Sequence, residues 1–216
     1  MRTLSRFRLM EAALVLGVAA FAVAQASAAE LIRIVSPYQT TTLDPMRSAS
    51  AGNIETYGQL YARLLQRSPT TGALEPGLAE SWEQSDDGGT YTFHLRDAQF
   101  SDGSPITAAD VVFSLERIRN DKQSAYPAPL GSVETITAVD MKTVSVKLKS
   151  AFAPFLGNLE IWNMGIVSRA DVEKQGAEKA FSSVPVTSGP YAVKKWKPNE
   201  TLVLQPNAHY WRKGYP

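Results

Sequence analysis

The chain has 216 residues, 44% hydrophobic and 20% charged, with no cysteine and a formal net charge of +1. This ordinary globular composition holds no low-complexity tract, which excludes a disordered chain and a collagen-like fibre, and without Cys a disulfide scaffold is excluded too. The near-balance of charge gives no electrostatic case for a nucleic-acid partner or an anionic membrane surface.

The N-terminus has the form of a leader. Arg2, Arg6 and Arg8 make a positive start, an apolar run follows from Ala12 to Ala24, and Ala26-Ser27-Ala28 is a small-x-small cleavage site. That order predicts a secretory signal peptide over residues 1–28. The apolar run, about 13 residues, falls short of the roughly 20 that a membrane-spanning helix needs. Removing the leader would leave 188 residues, with 19 basic against 20 acidic side chains. A bacterial lipoprotein carries its lipid on a cysteine at the cleavage site. Without one, the mature protein is expected to be soluble, unlipidated and periplasmic, with no membrane insertion.

Leu31 to Val35 is a β-rich run closed by Ser36-Pro37. From Asn53 to Arg67, Ile54, Tyr57, Leu60, Tyr61, Leu64 and Leu65 recur at helical spacing, which predicts one amphipathic helix over the whole stretch. Ser68-Pro69 and Thr71-Gly72 end it. Tyr91, Phe93 and Leu95 alternate with Thr92, His94 and Arg96, the period of a half-buried strand entered through the turn Asp86-Asp87-Gly88-Gly89. After a second turn at Asp102-Gly103-Ser104-Pro105, Thr107 and Asp110 have the spacing of a helix cap. Val111, Val112, Leu115 and Ile118 follow as that helix's buried face. Val144, Val146 and Leu148 mark another strand. Tyr191, Val193, Leu202 and Leu204 mark two more around Lys197-Pro198-Asn199. Strands and helices are mixed, so the fold class is α/β or mixed α+β.

Little in this pattern supports chemistry. The two histidines, His94 and His209, are far apart, and Asp86-Asp87 lacks the rest of a calcium loop. There is no G-x-S-x-G elbow and no phosphate-cradling G-x-x-x-x-G-K-[ST]. No enzyme, metal site or cofactor is expected. Among the aromatics, Trp82, Tyr91 and Trp211 sit in apolar patterns and are expected in the core. Tyr126 stands in a loop between Ser124 and Pro127-Ala128-Pro129, where a ring with a polar handle is free to meet a ligand.

The segments Leu43-Asp44-Pro45, Glu75-Pro76-Gly77-Leu78-Ala79-Glu80-Ser81-Trp82, Asp87-Gly88 and Tyr91-Thr92-Phe93-His94-Leu95-Arg96 occur in this order. They are followed by Phe100-Ser101-Asp102-Gly103-Ser104-Pro105, Thr107-Ala108-Ala109-Asp110-Val111, Pro185-Val186-Thr187-Ser188-Gly189-Pro190-Tyr191 and Asn207-Ala208-His209-Tyr210-Trp211. The series closely resembles family 5 of the bacterial extracellular solute-binding proteins, the oligopeptide-, dipeptide- and nickel-binding group. The likeness runs from about Leu31 to Pro216. Family members usually carry Gly where Thr187 stands, so a different turn is expected there, and they are more than twice as long.

The resemblance implies a type II periplasmic-binding clamshell with an extra inserted subdomain, here limited to part of the first lobe. Residues 29–45 and 167–216 would be pieces of that lobe, 46–166 the inserted subdomain, and the second lobe absent. It implies a monomeric binder of di- or oligopeptides that delivers them to the membrane permease of an ABC importer. Other solutes of the family (a nickel chelate, an opine, glutathione, an oligosaccharide) are the alternatives. A secreted hydrolase and a ligand-free interaction module are more distant ones. Ligand contact is expected from the loop after Pro45, through Ser48, Ala49 and Ser50, and from Tyr126. Asp102-Gly103 and Asp110 are expected to serve as turn and cap. Half a clamshell cannot desolvate a ligand on both sides, so this stretch alone is expected to hold solute weakly.

Overall fold

The computed structural model describes residues 37–215, so the leader and the Leu31–Val35 run lie outside the described residues. A four-stranded antiparallel sheet is built from β3 (Ala79–Gln84), β4 (Thr90–Leu95), β5 (Val133–Ala138) and β6 (Thr143–Leu148), in the order β3-β4-β6-β5. Each turn residue supplies what the reversal needs: Gly88 has φ +69°, between β3 and β4, and Gly103 has φ +85° in the turn beyond β4. Tyr91, Phe93 and Leu95 of β4 face inward, as their alternation predicts, and Val144, Val146 and Leu148 do the same on β6.

Helix α2 (Ala108–Asn120) packs against β5 and β6. Its start is closed by the predicted cap: the Thr107 amide and hydroxyl both donate to Asp110 Oδ2, at 2.9 and 2.7 Å. Asp110 does more, because its Oδ1 accepts the Arg169 amide at 3.0 Å and so ties α2 to the start of α4 (Arg169–Gln175), which follows the short α3 (Phe155–Asn158). Val111, Leu115 and Ile118 are buried, and Val112 packs at the edge of the same core.

The predicted long helix is a correction. Helix α1 runs only from Ala51 to Leu60, Tyr61 is extended, and Leu65–Arg67 is a strand, β1, paired with β2 (Leu74–Pro76) around Gly72. The backbone after Leu60 is claimed by distant segments. Gly189 donates to the Leu60 carbonyl at 2.8 Å and Ile166 to Ala62 at 2.9 Å. Leu78 donates to Arg63 at 2.8 Å and Gly77 to Leu64 at 3.0 Å. These approaches require glycine at two places: a Cβ on Gly189 would stand 2.6 Å from Leu60 C, and one on Gly77 2.5 Å from the Arg63 oxygen. Residues 61, 62, 64 and 65 are all buried, so their apolar run carries no one-sided period to separate helix from strand.

Two apolar clusters form. The first lies between the sheet and α2 and includes Met46, Leu64, Leu78, Phe93, Phe100, Val111, Val146, Phe155 and Ile166. The second gathers Leu43, Tyr57, Leu60, Tyr61, Val167, Val172, Ala180, Phe181 and Val193. Two-stranded β7 (Tyr191–Lys197) and β8 (Thr201–Pro206) lean on it through Trp196, Leu202 and Leu204. Their turn holds Asn199 at φ 63°. Thr187 keeps a negative φ. It is buried, and it exchanges backbone contacts with Ser101: its carbonyl accepts the Ser101 amide at 2.8 Å and its amide donates to Ser101 Oγ at 3.0 Å. Tyr91 is fully buried, while Trp82 and Trp211 pack from the margin of the first cluster.

Candidate functional site

Residues 40–50 are threaded between α1 and α2 by a dense set of side-chain bonds. Asn53 Oδ1 accepts the Thr41 amide at 2.8 Å, and the Tyr61 hydroxyl donates to the Leu43 carbonyl at 2.7 Å. Asp44 is the anchor. Its Oδ1 accepts the Met46 amide at 3.2 Å, and its carboxylate is gripped by Arg117 of α2 at 2.8 and 3.4 Å, with Arg47 Nε at 3.7 Å. Asp44 is buried and Arg117 mostly so, and the Arg117 guanidinium lies 5.7 Å from the Phe113 ring and 5.4 Å from that of Phe181. The cost of burying these charges is met by pairing and by several hydrogen bonds. Burial first, and then the Asp44 charge, push the hydroxyls of Tyr57 and Tyr61 well above the ordinary tyrosine range.

Beyond this anchor the chain carries the predicted contact loop. Asn163, buried in a short 3₁₀ turn, donates through Nδ2 to both the Pro45 and the Ser48 carbonyls at 2.8 Å. Ser48 is half-buried and uses its hydroxyl locally, accepting the Ser50 amide at 3.2 Å and donating to Ser50 Oγ at 3.1 Å. Ala49 and Ser50 are exposed, and Ser50 begins α1. Trp162, beside Asn163, is 38% exposed and covers Gly58 of α1.

The Tyr126 loop lies alongside. The Ala125 amide donates to the Met46 carbonyl at 2.8 Å, and the Arg47 guanidinium donates to Gln123 Oε1. Two loops nearly eighty residues apart are thereby joined, with Tyr126 39% exposed at their edge. A cleft of about 410 Å³ lies at Arg47 and Gln123, lined by Thr42, Asp44, Arg47, Gln123, Ala177, Glu178 and Phe181, and Ser48, Ala49, Ser50 and Tyr126 lie outside that lining. Its volume falls within the roughly 300–1,000 Å³ usual for small-molecule clefts. The arrangement offers main-chain groups, hydroxyls and an aromatic face on the loops, with the charged side chains of Asp44, Arg47 and Glu178 in the cleft. Among the described residues no three His, Asp or Glu side chains gather to hold a metal ion, and no helix is long and apolar enough to cross a membrane. His94 is on the outer face of β4, 3.9 Å from Glu83.

Sequence reasoning did not find Asn163, Gln123 or the Asp44–Arg117 pair, and it placed Arg47 at the start of the contact loop without its partner. Asn163 did leave a signal, a single amide side chain inside Ile161-Trp162-Asn163-Met164. The other three depend on which loop lies beside which.

The model of the bacterial extracellular solute-binding proteins, family 5 Middle, matches residues 73–216, two thirds of the chain. The chain belongs to this family. Over 181 residues it is 36% identical to the probable D,D-dipeptide-binding periplasmic protein DdpA of Escherichia coli K12, covering 78% of this chain and 34% of that one. Among solved structures it is similar to AgaA of A. tumefaciens R10 in complex with agropinic acid, at TM-score 0.76 and 30% identity over 82% of this chain and 35% of that one. It is also similar to Haemophilus influenzae OppA in complex with the peptide RPPGFSPFR, at TM-score 0.73 and 26% identity over 80% and 37%. The fold is therefore part of an OppA-like type II periplasmic-binding protein, and the chain spans about a third of the length of the relatives it matches. Family 5 and these relatives are solute-binding proteins rather than enzymes.

Proposed function

We propose that this family 5 chain is the solute-recognition part of a periplasmic component of an ABC importer, taking di- or oligopeptides and, as a monomer, presenting them to a membrane permease. The observation that supports the reading is the Ala125–Met46 hydrogen bond, which joins the residue before Tyr126 to the start of the loop that carries Ser48, Ala49 and Ser50, in a chain of a solute-binding family. Main-chain groups of the loop would hold a peptide backbone, and the Tyr126 ring would pack on its side chains. Peptide appears in the names of DdpA and of the Salmonella typhimurium transport protein SapA, 30% identical over 197 residues, and both are periplasmic. Residues 29–45 and 167–216 are assigned to the first lobe and 46–166 to the inserted subdomain. The first apolar cluster supports this, since its buried members come from within 46–166, whereas Tyr57, Leu60 and Tyr61 join the second.

A second reading, an opine as solute, is favoured by the likeness to AgaA with its agropinic acid. Saturation-transfer NMR on the full chain separates the two. The probes are alanyl-phenylalanine, trialanine, agropinic acid, glutathione, cellobiose and a nickel–histidine chelate. Transfer to the peptides above the rest supports the first reading, and transfer to agropinic acid alone replaces it with the second. Transfer to none removes solute binding from this chain.

A further inference from the structure

The last described segment gathers arginines that no carboxylate matches. Asn207 fixes it: its amide donates to the Pro190 carbonyl and its Nδ2 to the Gly189 carbonyl, both at 2.9 Å, and its own carbonyl accepts the Tyr210 amide at 3.1 Å. Trp211 is thereby seated at the margin of the first core. The Arg96 guanidinium lies 3.9 Å from the Trp211 ring centroid, with its Nε donating to the Gly77 carbonyl at 2.6 Å. Tyr210 packs against Trp211 and Tyr215, with centroids 5.4 and 6.2 Å away, and Arg212 lies 5.5 Å over Tyr215. Half-buried Arg63 donates through one terminal nitrogen to the Glu160 carbonyl at 2.9 Å, and its charge is felt at Tyr210. Arg212, Arg63 and Arg96 all act on the Tyr210 hydroxyl, opposing the upward push that burial gives it.

The acids that face these groups are Glu80, toward Arg96, and Glu160, toward Arg63. The Glu160 carboxylate is already held by Arg67 at 3.0 Å. Among the described residues neither acid, nor any other, makes an ion pair with Arg63, Arg96 or Arg212. Two donors, Arg63 Nε and Trp211 Nε1, are buried with no acceptor. Desolvated guanidinium charge and unmet N–H groups both raise the free energy unless an acceptor arrives. A planar guanidinium fork matches the paired oxygens of a carboxylate or phosphate.

We propose that Arg63, Arg96 and Arg212, gathered at Tyr210 and Trp211, form a binding site for a small oxyanion bearing a phosphate or carboxylate group. The site shares no residue with the Ser48–Ser50 loop or Tyr126 and stands independently of the solute reading. The test is calorimetric titration of the full chain with inorganic phosphate and with succinate, against chloride at matched ionic strength, together with the thermal unfolding midpoint. One or both oxyanions should bind saturably and raise the midpoint more than chloride does. Arg212→Gln, at an exposed position that spares the core, should weaken that binding about tenfold, the effect of losing one charge-assisted contact. Lys174→Gln on α4 should leave it unchanged. An oxyanion effect no larger than that of chloride overturns the proposal, and so does an Arg212→Gln chain that binds as tightly as the parent.

Discussion

Asp44 and Arg117 show how one residue pair positions the candidate site. The carboxylate caps the turn at Met46, holds α2 through Arg117 and leaves the following loop free to face outward. Arg117→Met strands a buried carboxylate with only Arg47 nearby. It is expected to lower stability by about 3 kcal/mol, the low end for a broken buried pair, as read by urea unfolding. Asn163→Leu leaves the Pro45 and Ser48 carbonyls without their donor. It should cost about 1–3 kcal/mol and speed hydrogen exchange at Ala49 and Ser50. Tyr57 and Tyr61 make stability sensitive to alkali. Their folded pKa values are raised, so their contribution is complete below the ordinary tyrosine value of about 10 and is lost as pH rises through the folded values. The urea midpoint should hold steady up to about pH 10 and fall as pH rises beyond it, less steeply in Tyr57→Phe. That variant should cost little at neutral pH, because the Tyr57 hydroxyl has no partner. Leu43-Asp44-Pro45 was visible as a motif, but its partner is 73 residues away and no local pattern names it.

At the scale of elements, the strands were legible because each buries one face. Tyr91-Phe93-Leu95 and Val144-Val146-Leu148 could only be written as alternation. The Thr107–Asp110 cap was legible too, since its chemistry is local. The stretch after Leu60 was not, because burial on every side erases the period and its hydrogen bonds go to residues 77–79, 166 and 189. Gly189 is the sharpest test of that packing. Gly189→Ala must push Leu60 and Tyr61 backbone aside, with contacts of 2.6 and 2.7 Å, and should be among the most destabilising single changes, about 3 kcal/mol or more by urea unfolding.

For the whole molecule, the two cores hold two loops from distant parts of the sequence against each other, and the candidate site lies where they meet. Its existence was legible only through the family resemblance, for Ser48, Ala49 and Ser50 carry no chemistry that marks them out. The joining of their loop to the one before Tyr126, through Ala125–Met46 and Arg47–Gln123, is a property of the fold. The chain spans about a third of its relatives' length. The most direct measurement is an amide correlation spectrum of the full chain titrated with alanyl-phenylalanine. Shifts concentrated at residues 46–51 and 123–127, and lost in Tyr126→Ala, are the predicted result. Shifts that spare both loops, or that persist unchanged without the Tyr126 ring, would contradict the assignment of the site.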